Sequence, residues 1–138
     1  MTIQQTQTTS FKKELYQGIH DLSTDHIYIA LYTANASLNQ DTTVYSSTNE
    51  ITGTGYTAGG QQLLSPVISS SGYTAYVTFA NASWSGALTA RCALIYNASK
   101  ANRAIAVLDF GSNKTSTTTF TVTMPADTAD SALIRSSN

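Results

Sequence analysis

Hydrophobic and polar positions change period along this chain. Phe11, Leu15, Ile19 and Leu22 form one stripe at a 3.6-residue period, which predicts an amphipathic helix. Ser10 stands where an N-cap belongs, and Glu14 falls in the first turns, where the helix dipole favours an anion. Gly18 lies inside the pattern at a cost of ~1 kcal/mol relative to alanine. Asp21 to Asp25 then reads as a turn. From Ile27 the period becomes two: Ile27, Ile29 and Leu31 point one way, and Tyr28, Ala30 and Tyr32 the other.

A long polar stretch follows, Thr33 to Gln62, ending in the glycine-rich run Thr52 to Gly60. Loops of this length without structure of their own are uncommon and often functional. A short helical turn is expected at Thr48 to Ile51. Beyond it the chain reads as strands separated by turn residues: Leu63 to Ile68, Tyr73 to Ala80, Leu88 to Tyr96, Arg103 to Phe110, Thr117 to Met124 and Ala132 to Arg135. The segments Ser69 to Gly72 and Asn81 to Gly86 are read as turns. Ala104 to Leu108 is apolar on both faces, so it is expected to be central and covered by the helix.

The predicted class is therefore mainly β: a jelly-roll-like antiparallel β-sandwich with one N-terminal helix packed on it. Residues 1–9 are polar and without periodicity, and are expected to form an extended arm; residues 10–138 are expected to form a single domain. Two readings of the arm stand side by side: a frayed terminus, or a strand laid on a neighbouring subunit.

Composition sharpens this picture. Serine and threonine make up about a quarter of the chain, while charged residues are only 11%, against roughly 25% in ordinary soluble domains. A net charge of −1 with scattered Lys and Arg argues against a nucleic-acid surface. No run approaches the roughly 18–20 apolar residues of a membrane span. The first nine residues lack the basic and apolar regions of a secretory signal. Four Asn-x-Ser/Thr matches, at Asn35, Asn81, Asn97 and Asn113, are read as turns.

The candidate chemistry is thin. His20, Asp21, Asp25 and His26 cluster in sequence, but a metal site needs three or four convergent ligands, and these residues end a helix and begin a strand. His20 is read as complementing the helix C-terminal dipole, and Asp21 as capping a turn. Gly53 and Gly55 lack the following helix of a dinucleotide fingerprint and the lysine of a phosphate loop. Cys92 has no histidine near it in sequence and is read as a small buried hydrophobe. No catalytic, cofactor-binding or metal-binding residues are assigned. Trp84, read as lying in a turn, and Tyr45 and Tyr56, in the long loop, are the aromatics expected at the surface.

Several blocks together carry a family resemblance. They are Phe11 to His20, Ile29-Ala30-Leu31-Tyr32-Thr33, Asn49 to Gly60, Ala93-Leu94-Ile95-Tyr96-Asn97, Val107-Leu108-Asp109-Phe110-Gly111 and Ala132-Leu133-Ile134-Arg135. As a set they resemble a family of small virion proteins of tailed bacteriophages. Cys92 departs from the pattern, where a smaller residue such as glycine is expected. The resemblance implies a structural component of the particle, most like capsid decoration or cement proteins, and brings no catalytic residues.

The expected partners are the major capsid protein and copies of the chain itself, with no nucleic acid, membrane or small-molecule substrate. The expected location is the capsid surface, after assembly in the host bacterial cytoplasm. Thr2, Ile3, Gln4 and Gln5 of the arm, Tyr45, Thr54 and Tyr56 of the loop, and Trp84 are the expected interface residues. A tail or baseplate component is the alternative. A carbohydrate-binding attachment module, with Trp84 or the loop tyrosines stacking on sugar, is a further one.

Overall fold

A computed structural model describes residues 3–125 and 132–136. Its elements in chain order are β1 (Thr6–Gln7), α1 (Thr9–Tyr16), β2 (Ile27–Tyr32), β3 (Gln61–Gln62), β4 (Val67–Ser71), β5 (Thr74–Thr78), β6 (Ala82–Ser85), β7 (Thr89–Asn97), β8 (Arg103–Thr115), β9 (Thr119–Val122) and β10 (Ile134–Ser136). They form three antiparallel sheets. The main sheet has the order β1-β8-β7-β2-β3; the smaller ones are β10-β5-β4 and β6-β9. The fold is mainly β and sandwich-like, with one short helix.

The alternation of β2 sets the architecture. Ile27, Ile29 and Leu31 join Ile95 and Ile105 in a core with Val77, Trp84, Phe120, Val122 and Ile134 of the smaller sheets. Ala30 and Tyr32 face the other way, into a second core with Cys92, Leu94, Tyr96, Ala104 and Val107. That second face is closed by the long loop, which contributes Ala36, Leu38 and Tyr45. The main sheet is therefore buried on both faces, which is why its central strands carry apolar residues in succession.

The helix is shorter than its apolar stripe. It ends at Tyr16, and Gly18 follows with φ +71° instead of lying within it. Gly18 N–H donates to the Leu15 carbonyl and Ile19 N–H to the Glu14 carbonyl, both at 3.1 Å. These paired bonds close the helix by a left-handed cap. Leu22, predicted on the helix, is buried in the turn beyond it. The N-cap is Thr8, not Ser10: its hydroxyl accepts from Phe11 N–H at 3.2 Å. Thr8 also donates its N–H to the Ile105 carbonyl at 2.9 Å, at the register shift between β7 and β8. Glu14 sits near the helix C-terminus, so the N-terminal dipole does not explain it.

Four further expectations are corrected. Asn81 to Gly86 is not a turn; it holds β6, in which Ala82 and Trp84 are buried and Ser83 and Ser85 exposed. Ser69 to Ser71 belong to β4, and the turn after them is Gly72-Tyr73. Thr48 to Ile51 makes a single turn with Asn49 at φ 63°, not a helical segment. The strand expected from Leu63 begins only at Val67, because Ser65 takes φ 56° ahead of Pro66.

Candidate interface and the polar networks behind it

The arm lies on its own domain. Ile3 bridges Leu38 in parallel, Gln4 N–H donates to the Leu38 carbonyl at 2.9 Å, and Thr6 and Gln7 pair with Val107 and Ala106 of β8. The Gln5 side-chain oxygen accepts from Asp109 N–H at 3.1 Å. Ile3 is half-buried, and Gln4 and Gln5 are exposed. Thr2 lies outside the described residues.

The loop tyrosines are half-buried, and their hydroxyls point inward. Tyr45 and Tyr56 donate to the two carboxylate oxygens of Glu50 at 2.6 and 2.5 Å, and Gly59 N–H adds a third bond at 2.8 Å. Tyr56 Oη in turn accepts from Leu31 N–H, and Tyr96 donates to the Gly59 carbonyl at 2.6 Å. The Tyr45 and Tyr96 rings stack with centroids 4.7 Å apart. Glu50 thus ties the second half of the loop together, and Tyr56 fastens it to β2 through Leu31 N–H. Burial, with the Glu50 charge adding to it, pushes the hydroxyl pKa of Tyr32, Tyr45 and Tyr56 well above the ordinary value, and that of Tyr96 up to about 12.

Two close approaches of backbone hold this loop down. A Cβ on Gly60 would lie 1.8 Å from the Ile29 carbonyl oxygen, and one on Gly55 would lie 1.9 Å from that of Ser85. Both glycines have positive φ, at 78° and 94°, where side chains are strained in any case. Thr54, beside Gly55, is exposed.

Trp84 is a correction. It is 5% exposed, sits in β6 opposite Phe120 and meets that ring edge-on at 6.2 Å. Its indole is core, so it offers no stacking platform for a sugar. The seven expected interface residues that are described therefore do not form one patch: Ile3, Gln4 and Gln5 lie along Leu38 and β8, the tyrosines lie under the loop, Thr54 is exposed on it, and Trp84 is inside.

A second network lies at the C-terminal end of the helix. Arg103 donates to Glu14 Oε2 at 3.1 Å, and His20 Nε2 lies 2.8 Å from Glu14 Oε1. Asn97 Nδ2 lies 2.9 Å from His20 Nδ1 and donates to Asp25 Oδ2 at 2.8 Å; Lys100 reaches the same carboxylate at 2.9 Å. Asn97 Oδ1 accepts from Ser99 N–H, which fixes its amide orientation. His20 Nδ1 is thereby the acceptor and Nε2–H the donor to Glu14. His20 is thus held by side chains, and the helix dipole is not its main partner. Burial alone raises the Asp25 pKa, but bonds from Asn97, Asp21 N–H and Lys100 outweigh it and hold the carboxyl at about 2. Asp21 does cap its turn, accepting from Ser23 N–H and Oγ; those bonds lower its pKa.

Among the described residues no three His, Cys, Asp or Glu side chains converge on a metal position. Burial pushes the Cys92 thiol up to about 12, which keeps it protonated and unreactive at neutral pH.

The chemistry sequence reasoning missed is Glu50. Its signal was isolation: from Thr42 to Ala90 it is the single charged residue. The tract Ile51 to Ala90 has no Asp, Glu, Lys, Arg or His at all. No protein-family profile, no curated protein and no solved structure matches the chain.

Proposed function

We propose that the chain is a structural protein of a tailed-bacteriophage particle, a capsid decoration or cement protein that bridges major capsid subunits and copies of itself. The observation that carries this reading is the uncharged tract from Ile51 to Ala90, presented on a scaffold braced from both faces. Such a surface suits repeated contact with protein, because neither partner has to desolvate a charge. The virion-protein resemblance of the sequence points the same way. The ionisable groups that lie close together, Glu14 with His20 and Glu50 with its tyrosines, are engaged inside the fold. They serve packing, and the chain is read as a non-enzyme.

Many modest contacts on a lattice add up through effective concentration, so each copy need not bind its joint tightly. The arm is the segment best suited to exchange partners, since β1 holds only two residues on the β8 edge. Quantitative mass spectrometry of gradient-purified particles tests the proposal. A decoration protein is present at about one third of the major capsid protein or more. A few per cent would replace it with a tail or baseplate component, and absence would remove it.

A further inference from the structure

Cations are scarce in this chain, and the fold engages most of them. Of its seven Lys and Arg residues, Arg91, Lys100 and Arg103 meet carboxylates at Asp109, Asp25 and Glu14. Lys114 donates to the Thr121 carbonyl and lies over the Phe110 and Phe120 rings, and Arg135 is engaged as well. Among the described residues the two left without a partner are Lys12 and Lys13, side by side on α1. Tyr16 follows Lys12 by four positions and Lys13 by three, so the three side chains are neighbours on the helix surface. Tyr16 is 94% exposed, the most exposed of the described large hydrophobic side chains. Glu14, the one acid of the helix, is bound to His20 and Arg103 and does not offset the two lysines. Beside the last turn a groove of about 470 Å³ opens, lined by Leu15, Gly18, Leu22, Ile68, Val77 and Ile134. Asp21 also borders it, with its carboxylate held by Ser23.

We infer that the outer face of α1 and this groove form a docking surface for an acidic segment of a partner protein. Carboxylates of that segment meet Lys12 and Lys13, and an apolar side chain enters the groove beside Tyr16. Charge selects an anionic partner, because the unpaired cations stand together and no free acid accompanies them on the helix. The number of charges selects among anions. Nucleic-acid binding commonly neutralises about 6–10 phosphates, and recognition of anionic membranes takes clusters of about 4–8 Lys and Arg. Two lysines on a chain of net charge −1 suit a pair of carboxylates instead. The groove adds a requirement that neither a phosphate backbone nor a lipid headgroup meets: an apolar group to fill it. A protein segment supplies both, and an exposed tyrosine is a typical anchor for such a contact. A second copy fits less well. Among the described residues the exposed carboxylate that accepts no bond is Asp41 alone, one acid against two cations.

This inference gives the chemistry of the partner in the proposed capsid contact, and it rests on that reading only for where the partner is found. It is tested by NMR on the isotope-labelled full chain with three probes: a synthetic peptide alternating glutamate and leucine, a single-stranded DNA oligonucleotide, and vesicles containing phosphatidylserine. The peptide is expected to shift the amides of Lys12, Lys13, Tyr16 and Ile68, and to bind more weakly as salt rises from about 50 to about 300 mM. Lys12→Glu combined with Lys13→Glu is expected to weaken peptide binding about ten-fold or more at an unchanged melting temperature, since neither lysine holds another group in the fold. Lys12→Arg with Lys13→Arg is expected to keep the binding, and Tyr16→Ala to weaken it about five-fold. Rebinding of the chain to particles stripped of it is expected to fall with the charge reversal as peptide binding does. Amides unmoved by the peptide, DNA or vesicles seated on the same face as tightly, or rebinding that ignores the reversal would each overturn the inference. Self-association abolished by the same reversal would put a second copy in the place of the acidic partner and overturn it too. A chain absent from the particles removes the capsid reading alone, and the peptide titration then decides this inference.

Discussion

The two halves of the sandwich solve the same problem in opposite ways. The main sheet is covered on both faces and guarded along its flanks: β1 lies on β8, β3 on β2, and the loop pinned by Glu50 seals the tyrosine face. The β10-β5-β4 sheet buries one face, through Val77 and Ile134, and among the described residues no strand pairs with the outer edge of β4. Burial of backbone polar groups demands partners, and the central strands β7 and β2 of the main sheet find them on both sides. The small sheet leaves part of that demand unmet at the surface. The contrast teaches that the two-sided burial belongs to the main sheet and its loop, and that the long unpaired edge belongs to the small sheet.

The strongest way to break the contrast is to attack the closed half. Gly60→Ala drives a methyl group into the Ile29 backbone at a positive φ; we expect a loss of about 4 kcal/mol or more, seen in urea unfolding as failure to reach a native baseline. Trp84→Ala empties the core beside Phe120 and is expected to cost about 3–5 kcal/mol. A surface-stacking tryptophan would cost almost nothing, so this variant also separates the buried placement from the glycan reading.

Glu50→Ala strands two tyrosine hydroxyls and the Gly59 N–H, with an expected loss of about 3 kcal/mol. The pH profile carries the same signature. Tyr32, Tyr45, Tyr56 and Tyr96 have folded pKa values raised above the unfolded value of 10.0, so their contribution is complete below pH 10 and is lost as pH rises beyond it. Asp25 behaves in the opposite sense. Its folded value of about 2 lies below the unfolded 3.8, so its contribution is present above pH 3.8 and is lost as pH falls toward 2. Thermal melts across both windows read these losses. The smallest effect belongs to the open half: Val67→Thr is expected to change monomer stability by less than about 0.5 kcal/mol.

Much of the closed half was legible in the sequence. The alternation in β2 set Ile27, Ile29 and Leu31 on one face and Ala30 and Tyr32 on the other, and the structure gives each face its own core. The doubly apolar run Ala104 to Leu108 announced a strand covered on both faces. What misled was local chemistry standing in for tertiary context. Asn81-Ala82-Ser83-Trp84-Ser85-Gly86 is rich in turn residues, yet the two-residue alternation of Ala82 and Trp84 is what the core uses. The helical stripe ran past Gly18, because a buried turn continues the same apolar face without helical hydrogen bonds.

The site was less legible. Nothing local says that Glu50 meets Tyr45, Tyr56 and Gly59 at once, since that convergence depends on how a loop of some thirty residues folds back on β2. Exposure of the tyrosines was inferred from loop position alone, and a long loop that covers a sheet turns some of its own side chains inward. The edge of β4 was invisible because strand order is a property of the assembled sheet.

The most direct test of the contrast is hydrogen exchange of backbone amides, read strand by strand. Amides of β7 should exchange slowly, whereas those of β4 that face its outer edge should exchange fast. Protection of the outward-facing β4 amides equal to that of β7 would contradict the account.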